Sequence, residues 1–369
     1  MALFPDVPAV PVRRRSGRRV GWILLALAVV GGFAFANVPA PYVIEQPGPV
    51  FNTLGTVTNA GKSVPLIDIP TKKTYPTGGS LDMLTVNLVG DPSNPPSWFE
   101  VAQAWLDPSR AVLPVASVYP AGETVQQSNK QSAVDMQNSQ RDAVAAALTT
   151  LGYPLTSTLT VGGLSAGSPS KGVLRDGDEI FSVDGASVSS VLGLRAQIAQ
   201  SGAGKPLSLV IERSGVRQTV QVTPAMSTDT PSVPVIGVYP AVAYTFPFEV
   251  KIQLENVGGP SAGQMFALGI IDKLTPGKLN GGAKVAGTGT IDAQGDIGAI
   301  GGIRQKLYGA RDAGATWFLA PYSNCDEVTG HVPSGIRVLA VKTLTDSLKA
   351  LKAISSGGST SRLLTCPVK

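Results

Sequence analysis

The chain has 369 residues, 43% of them hydrophobic, which is enough for two or three domains with buried cores. Glycine and proline are frequent, at 42 and 29 residues, but stay below the proportion typical of low-complexity disorder. The net charge of +5 is concentrated at the start, because residues 1–19 hold five arginines and one aspartate. A nucleic-acid binder spreads its basic charge over a folded face, so we expect no nucleic-acid partner.

The basic arm, residues 1–19, precedes an uncharged and mostly apolar stretch at residues 20–38. This stretch is long enough to cross a bilayer, and arginines on its N-terminal side predict a cytoplasmic N-terminus. We therefore expect a single-pass cell-membrane protein with extracytoplasmic domains. A cleaved signal peptide is the alternative, because Ala34-Phe35-Ala36 fits the small-x-small cleavage rule. Both interpretations place residues 40–369 outside the cytoplasm.

Residues 40–154 are expected to be a small, mostly-β extracytoplasmic region that ends in a helix. Strands are predicted at Leu81–Leu88 and Ala111–Val118, and a helix at residues 123–151. Gly152 and Pro154 are typical of the end of a helix. The region contains no chemical motif, so its function is not predicted.

Residues 155–225 form a second unit, in which short predicted strands alternate with Asp-Gly turns and one helix. The phrase GSPSKGVLRDGDEIFSVDG in this unit resembles the PDZ domains that accompany bacterial proteases. The resemblance implies that a peptide is added as an extra strand beside the helix. It also implies a carboxylate-binding loop, expected before Leu159. A structural spacer that binds nothing is the alternative.

The next segment, residues 235–355, begins with a predicted half-buried strand at Phe248–Glu255. Its apolar residues Val250, Ile252 and Leu254 alternate with polar ones, as in a strand that has one buried face. We expect this strand to pair with the backbone of a substrate.

The predicted strand leads through a glycine-rich turn to Ser261, and an apolar helix is predicted at Ala262–Leu274. Free backbone N–H groups at a helix N-terminus favour negative charge. A serine in this place is therefore suited to attack a carbonyl, with nearby N–H groups as oxyanion donors. A simple N-cap role for Ser261 is the alternative.

A serine nucleophile needs a base that removes its proton. His331 is the only histidine and lies in a sequence typical of a solvated loop, so lysine is the remaining common base. Lys306 lies in the stretch GGIRQKLYGA, which predicts a helix that begins after Gly301-Gly302. A solvated position on an exposed helix face is the alternative for this lysine.

Three phrases of the same segment resemble the proteolytic domain of Lon peptidases: GGPSAG, GTGTIDAQGDIGAIGGIRQKL and AGATWFLAP. The resemblance implies that Ser261 is the nucleophile, Lys306 the dyad base and Thr288 a residue that helps orient that lysine. The backbone of Gly259, Ser261 and Ala262 is expected to hold the oxyanion. The pattern departs at Gly258, where Lon sequences usually carry an acid.

Cys325 and Cys366 are the only cysteines. In an oxidising compartment they are expected to form a disulfide that ties the tail, residues 356–369, to the preceding domain. Two unpaired thiols are the alternative. Two cysteines and one histidine do not make an ordinary zinc site, so we expect no metal.

The order of these parts resembles the membrane-anchored PDZ–Lon peptidases of Gram-positive bacteria, and implies an α+β multidomain chain. No nucleotide-binding loop of the form GxxxxGK[ST] occurs, so we expect neither ATP nor another cofactor. The expected function is an ATP-independent endopeptidase that cuts unfolded or flexible protein segments. The alternatives are a non-proteolytic binding or regulatory protein that uses the PDZ unit, and an ectodomain that only cleaves itself. Assembly into a homo-oligomer is expected by analogy with Lon rings.

Overall fold

The computed structural model describes residues 16–59, 61–119, 124–165, 167–189, 191–227, 232–255 and 257–367. Most of the predicted basic arm, residues 1–15, lies outside the described residues, as does Glu123 at the start of the helix predicted for residues 123–151. The helices are α1 (Ser16–Asn37), α2 (Trp98–Trp105), α3 (Val115–Val118), α4 (Val125–Thr150), α5 (Val191–Ser201), α6 (Gly263–Leu274), α7 (Ile303–Asp312), α8 (Cys325–Val328) and α9 (Leu344–Ser355).

The strands fall into three groups along the chain. The first is β1 (Tyr42–Asn52), β2 (Thr56–Asn59), β3 (Lys62–Pro65), β4 (Ile67–Asp68), β5 (Ser80–Val89) and β6 (Ala111–Pro114). The second is β7 (Thr156–Leu164), β8 (Glu179–Val183), β9 (Ala186–Ser187), β10 (Leu207–Arg213), β11 (Val216–Val222), β12 (Ala225–Met226), β13 (Pro234–Val235) and β14 (Val238–Thr245). The third is β15 (Lys251–Ile252), β16 (Lys284–Gly287), β17 (Thr290–Ile291), β18 (Ile297–Gly298), β19 (Trp317–Pro321) and β20 (Arg337–Val341).

The stretch predicted to be a transmembrane anchor, residues 20–38, falls almost entirely within α1. Within the ranges described above, however, no helix combines the length and the apolar character that crossing a membrane requires.

The central sheet joins the first and third groups of strands, in the order β20-β19-β16-β5-β1-β6. Strand β5 pairs in parallel with β16, so that Ser80 lies opposite Lys284, and antiparallel with β1. The structure therefore differs from the prediction of a separate region at residues 40–154. The two longest strands of this region, β1 and β5, belong to the same sheet as β16, β19 and β20.

Helices cover both faces of the central sheet, which explains why residues 80–84 of β5 are buried without alternation. On one face Leu81 and Met83 pack in a core with residues of α4, α6 and α9. On the other face Leu84 packs with Ile303 and Leu307 of α7. The sheet thus lies between α6 and α7. The site lies where side chains from the α6 side and the α7 side come together.

Most of the second group of strands forms its own sheet, β11-β10-β8-β7-β14, with α5 packed against it. Strand β9 pairs with β8, and β12 and β13 form a separate two-stranded sheet. The core between the larger sheet and α5 includes Leu159, Ile180 and Leu209 from the strands, with Leu194 and Ile198 from α5. Strand β14 pairs antiparallel with β7 along its length, and Thr245 lies opposite Thr156. The unit therefore continues to Thr245, beyond the predicted boundary at residue 225.

Helix α4 connects the two units. Thr124 caps it with a side-chain hydrogen bond to the backbone N–H of Gln127, and Gly152 follows its end with a φ of 77°. The helix packs against α6 through buried residues such as Met136, Ser139 and Ala143. It therefore belongs to the core that supports the site.

The strand predicted at Phe248–Glu255 is wrong in extent. Only Lys251–Ile252 forms a strand, β15, which pairs with Ile67–Asp68 of β4. The alternation of apolar residues has another cause, because Val250, Ile252 and Leu254 are partly buried against the core beside α6. One side of a chain can be apolar without a long ladder of hydrogen bonds.

Candidate active site

Ser261 lies at the end of a tight turn that precedes α6. Gly259 has a φ of 85°, a left-handed conformation that glycine adopts without steric strain. Ala262 is the N-cap residue of α6, and the helix behind it is buried through residues such as Met265 and Phe266. A half-buried serine is thus presented on a rigid element whose N-terminus favours negative charge.

Lys306 reaches Ser261 from α7 on the other side of the sheet. Its Nζ donates hydrogen bonds to Ser261 Oγ at 2.8 Å and to Thr288 Oγ1 at 3.1 Å. The lysine is only 2% exposed, so it is not the solvated surface residue that a lone lysine usually is. The structure therefore brings together three side chains that are far apart in sequence.

Thr288 also holds the backbone of Ser261. Its Oγ1 donates to the Ser261 carbonyl at 3.0 Å, and the Gly289 N–H donates to the same oxygen at 2.9 Å. Because the hydroxyl of Thr288 is fixed in this way, its remaining lone pairs face the Lys306 amine. Thr288 is fully buried, which keeps water from competing for these contacts.

Burial lowers the pKa of Lys306 to about 8, because desolvation disfavours the ammonium form. Glu45 of β1 acts in the opposite direction through its negative charge. The pKa of Glu45 is itself raised, mainly by burial, although the charge of Lys306 lowers it in part. At pH 7 about a tenth of Lys306 is therefore neutral and able to accept a proton from Ser261, and this fraction rises with pH.

The backbone donors around Ser261 differ from the expectation in one respect. The Gly259 N–H donates to the carbonyl of Ser132 in α4 at 2.8 Å, so it is not available to an oxyanion. For the N–H groups of Ser261 and Ala262, no acceptor is found among the described residues. The predicted donor set of three is thus reduced to two.

A cavity of about 370 Å³ opens beside Ser261 and Lys306. Its apolar lining includes Phe51, Met83, Met136 and Val257. Of the predicted substrate strand only Glu255, its last residue, lines this cavity. Val250 and Ile252 border a different cavity, and Leu254 packs against the core. Strands β1 and β5 supply part of the lining in their place.

Cys325 and Cys366 are joined by a disulfide, with their Cα atoms 5.0 Å apart. The bond holds the tail next to β20, where the Ala340 N–H donates to the Leu364 carbonyl at 2.9 Å.

A second cavity, of about 570 Å³, lies between α5 and β14 in the unit that resembles a PDZ domain. Leu194 and Ile198 of α5 line one side, and residues 236–240 line the other. Strand β14 is at the edge of its sheet. The loop that enters this edge strand is Ile236-Gly237, which also lines the cavity. The carboxylate-binding loop expected before Leu159 stays a prediction.

The sequence did not indicate the residues that affect the site from distant parts of the chain. Glu45 affects the pKa of Lys306, and Ser132 and Ser139 of α4 contact the turn before Ser261. None of these residues stands in a motif, and a serine within a helix carries no local signal of such a contact. Only the long-range pairing of elements brings them to the site.

Comparison with protein families matches residues 256–353 to the Lon protease (S16) C-terminal proteolytic domain and residues 124–212 to the PDZ domain. The second match includes α4, which was predicted to lie outside the PDZ unit.

Among similar proteins, a Lon protease of Lachnoclostridium phytofermentans is 35% identical over 94 residues, which are 25% of this chain and 11% of the relative. A Lon protease of Campylobacter concisus is 28% identical over 196 residues, which are 51% of this chain and 24% of the relative. The aligned part is thus a quarter or less of the length of either relative. The PDZ domain of the SdrC-like protein of Listeria monocytogenes is 20% identical, and the match covers 22% of this chain and 83% of that domain with a TM-score of 0.20. By its family matches, the chain contains a Lon protease C-terminal proteolytic domain together with a PDZ domain.

Proposed function

We propose that this chain is an ATP-independent serine endopeptidase that uses a Ser261–Lys306 dyad. Neutral Lys306 takes the proton of Ser261 Oγ, which attacks a peptide carbonyl, and the N–H groups of Ser261 and Ala262 stabilise the oxyanion. Protonated Lys306 then gives its proton to the leaving amine, and water hydrolyses the acyl-enzyme. The observation that carries the proposal is the 2.8 Å contact between a buried lysine amine and the serine hydroxyl.

The cavity beside Ser261 suggests the kind of segment that is cut. Its apolar lining, including Met83, Met136 and Val257, suits a peptide with an apolar side chain next to the scissile bond. Without an ATP-driven unfolding step, substrates must enter as unfolded or flexible segments of protein.

The PDZ domain is proposed to recruit these substrates. A peptide can add to the outer edge of β14, with its side chains in the cavity below α5. Arg195 of α5 lines the same cavity and is exposed, so it suits a peptide with a C-terminal carboxylate.

We propose an extracytoplasmic location for these domains. The disulfide between Cys325 and Cys366 supports it, because such bonds persist mainly in oxidising compartments. The basic arm followed by an apolar stretch is also typical of exported chains. Attachment to a membrane and Gram-positive origin stay predictions from the sequence.

The decisive experiment compares the wild-type chain with Ser261→Ala on an unfolded protein such as reduced casein. The wild type is expected to cleave casein without ATP and to react covalently with a fluorophosphonate probe, and the variant to do neither. A variant that still cleaves casein would overturn the proposal. A folded wild type that binds peptides without cleaving them would favour a binding or regulatory protein instead.

A further inference from the structure

Helix α4 contacts the turn before Ser261 at two points. The Ser132 carbonyl accepts the Gly259 N–H at 2.8 Å, and Ser139 Oγ donates to the Pro260 carbonyl at 2.8 Å. Ser132 and Ser139 are seven residues apart, which is close to two helical turns, so they lie on one face of α4. The two contacts therefore hold the turn from both sides of the Gly259–Pro260 peptide bond.

The hydrogen bond of Ser139 is unusual for a serine within a helix. Such a hydroxyl commonly bonds to a carbonyl one turn earlier in its own helix or to water. Ser139 is 3% exposed, and its hydroxyl donates to Pro260, 121 residues away in sequence. A buried hydroxyl that makes this contact constrains the turn more tightly than a solvated one would.

The constraint acts on a group that the reaction needs. The Pro260 carbonyl and the Ser261 N–H belong to one planar trans peptide unit, in which the two groups point in opposite directions. A donor that fixes the Pro260 oxygen therefore also fixes the direction of the Ser261 N–H, one of the two proposed oxyanion donors.

The surroundings of Gly258 also show that α4 lies close to this turn. A Cβ atom built on Gly258 would lie 2.7 Å from Ser132 Cβ and 3.3 Å from the Ser132 carbonyl carbon and oxygen. Gly258 has no positive φ, so its conformation alone does not require glycine. Helix α4 thus occupies the space of any side chain at the position where Lon sequences usually carry an acid.

Building on the proposed function, we propose that Ser139 is a positioning residue, which aims the Ser261 N–H at the oxyanion by holding the Pro260 carbonyl. Ser132 and Ser139 of α4 therefore support the site, although they lie outside residues 256–353, which match the Lon proteolytic domain. The effect belongs to the transition state, because the oxyanion forms only there.

The first test is Ser139→Ala, with Ser128→Ala on the same helix as the matched control. Loss of an entire oxyanion donor lowers kcat by about 10²–10³, so a misdirected donor is expected to lower it by about tenfold or more. KM for a short peptide and the pH dependence of kcat/KM are expected to stay at their wild-type values, because the cavity and Lys306 are unchanged. A merely structural role would not give this pattern, and Ser128→Ala is expected to match the wild type.

The second test does not depend on Ser139. Gly258→Ala is expected to lower kcat by displacing the turn, and Ser132→Gly in the same chain is expected to restore part of it by removing the atom in conflict. A folded Ser139→Ala with wild-type kcat would overturn the role of Ser139, and a Gly258→Ala with wild-type kcat would overturn the close support of the turn by α4, while the dyad stands in both cases. A wild type that cleaves nothing would overturn the proposed function and this inference together.

Discussion

At the scale of single residues, the burial of Lys306 has two opposite consequences. Desolvation lowers the pKa of the amine to about 8, which makes a usable base near neutral pH. The same desolvation makes the protonated form costly in the folded chain. One residue thus links the chemistry of the site to the stability of the fold, and both effects depend on pH.

Activity is expected to rise with pH through the pKa of Lys306, about 8, because only the neutral amine accepts a proton. Lys306→Arg is expected to be inactive at every pH, since a guanidinium stays protonated in proteins. The measurement is kcat/KM for a short peptide as a function of pH. An active Lys306→Arg enzyme would show that Lys306 is not the base.

Stability is expected to respond to Lys306→Met with a defined sign. The pKa is about 8 in the folded chain and about 10.4 in the unfolded chain, so between these values the unfolded chain binds more protons. The free energy of unfolding of the wild type therefore rises with pH over this window. The methionine variant is expected to be inactive but more stable below pH about 8, and its advantage is expected to shrink toward pH about 10.4.

Urea denaturation of both proteins across this pH range measures the difference. A pH-independent difference between wild type and Lys306→Met would mean that the folded and unfolded pKa values are alike, and that the buried amine stays charged.

The sequence allowed Ser261, Lys306 and Thr288 to be proposed, because each stands in a phrase that resembles a known domain. It did not indicate that the N–H of Gly259, one of the three predicted oxyanion donors, is taken by a carbonyl of α4. That contact joins residues 127 positions apart along the chain, and no local pattern encodes it.

At the scale of elements, the position of a strand along the chain was easier to predict than the strand with which it pairs. Strand β5 was predicted at Leu81–Leu88 and spans Ser80–Val89, since its apolar residues are local information. Its parallel pairing with β16 depends on a crossover connection that includes the whole PDZ unit. The opposite error occurred at residues 248–255, where alternation reflected packing on the core and not a full strand.

The disulfide is the element-scale feature with the clearest energetic consequence. It joins two residues that are 41 positions apart and holds the tail against β20. Cys325→Ser with Cys366→Ser is expected to lower the free energy of unfolding by about 2–4 kcal/mol, because the unfolded chain gains conformational freedom. Urea denaturation of the double variant measures the loss, and stability equal to the wild type would contradict it.

At the scale of the whole molecule, the PDZ unit is an insertion. The strands of the central sheet come from before it and after it in the sequence. The first and last strands of the PDZ unit are neighbours, with Thr156 opposite Thr245, so its two ends lie close together. Insertions of this kind disturb the surrounding fold little, because they leave from and return to nearly the same place.

Replacement of residues 156–245 by a short Gly-Ser linker is therefore expected to leave a folded peptidase. Hydrolysis of a short peptide should persist, and cleavage of a protein substrate should fall, because recruitment is lost while the dyad remains. The two rates are compared on the same preparation, with its folding checked by circular dichroism. Equal loss on both substrates would mean that the unit supports the fold and does not recruit.

The pairing of β5 with β16 also determines the order in which the molecule can be completed during its synthesis. Ser80 and Asn280 are joined by a hydrogen bond across 200 residues, so β5 leaves the ribosome long before its partner exists. The PDZ unit, whose strands are closer together in sequence, can fold during that interval. Until β16 emerges, β5 keeps an open edge with apolar residues such as Leu81 and Met83, which favours association with other chains. Chains released before β16 therefore lack the strand that covers this edge of β5, and they also lack Lys306, which follows β16 in the sequence.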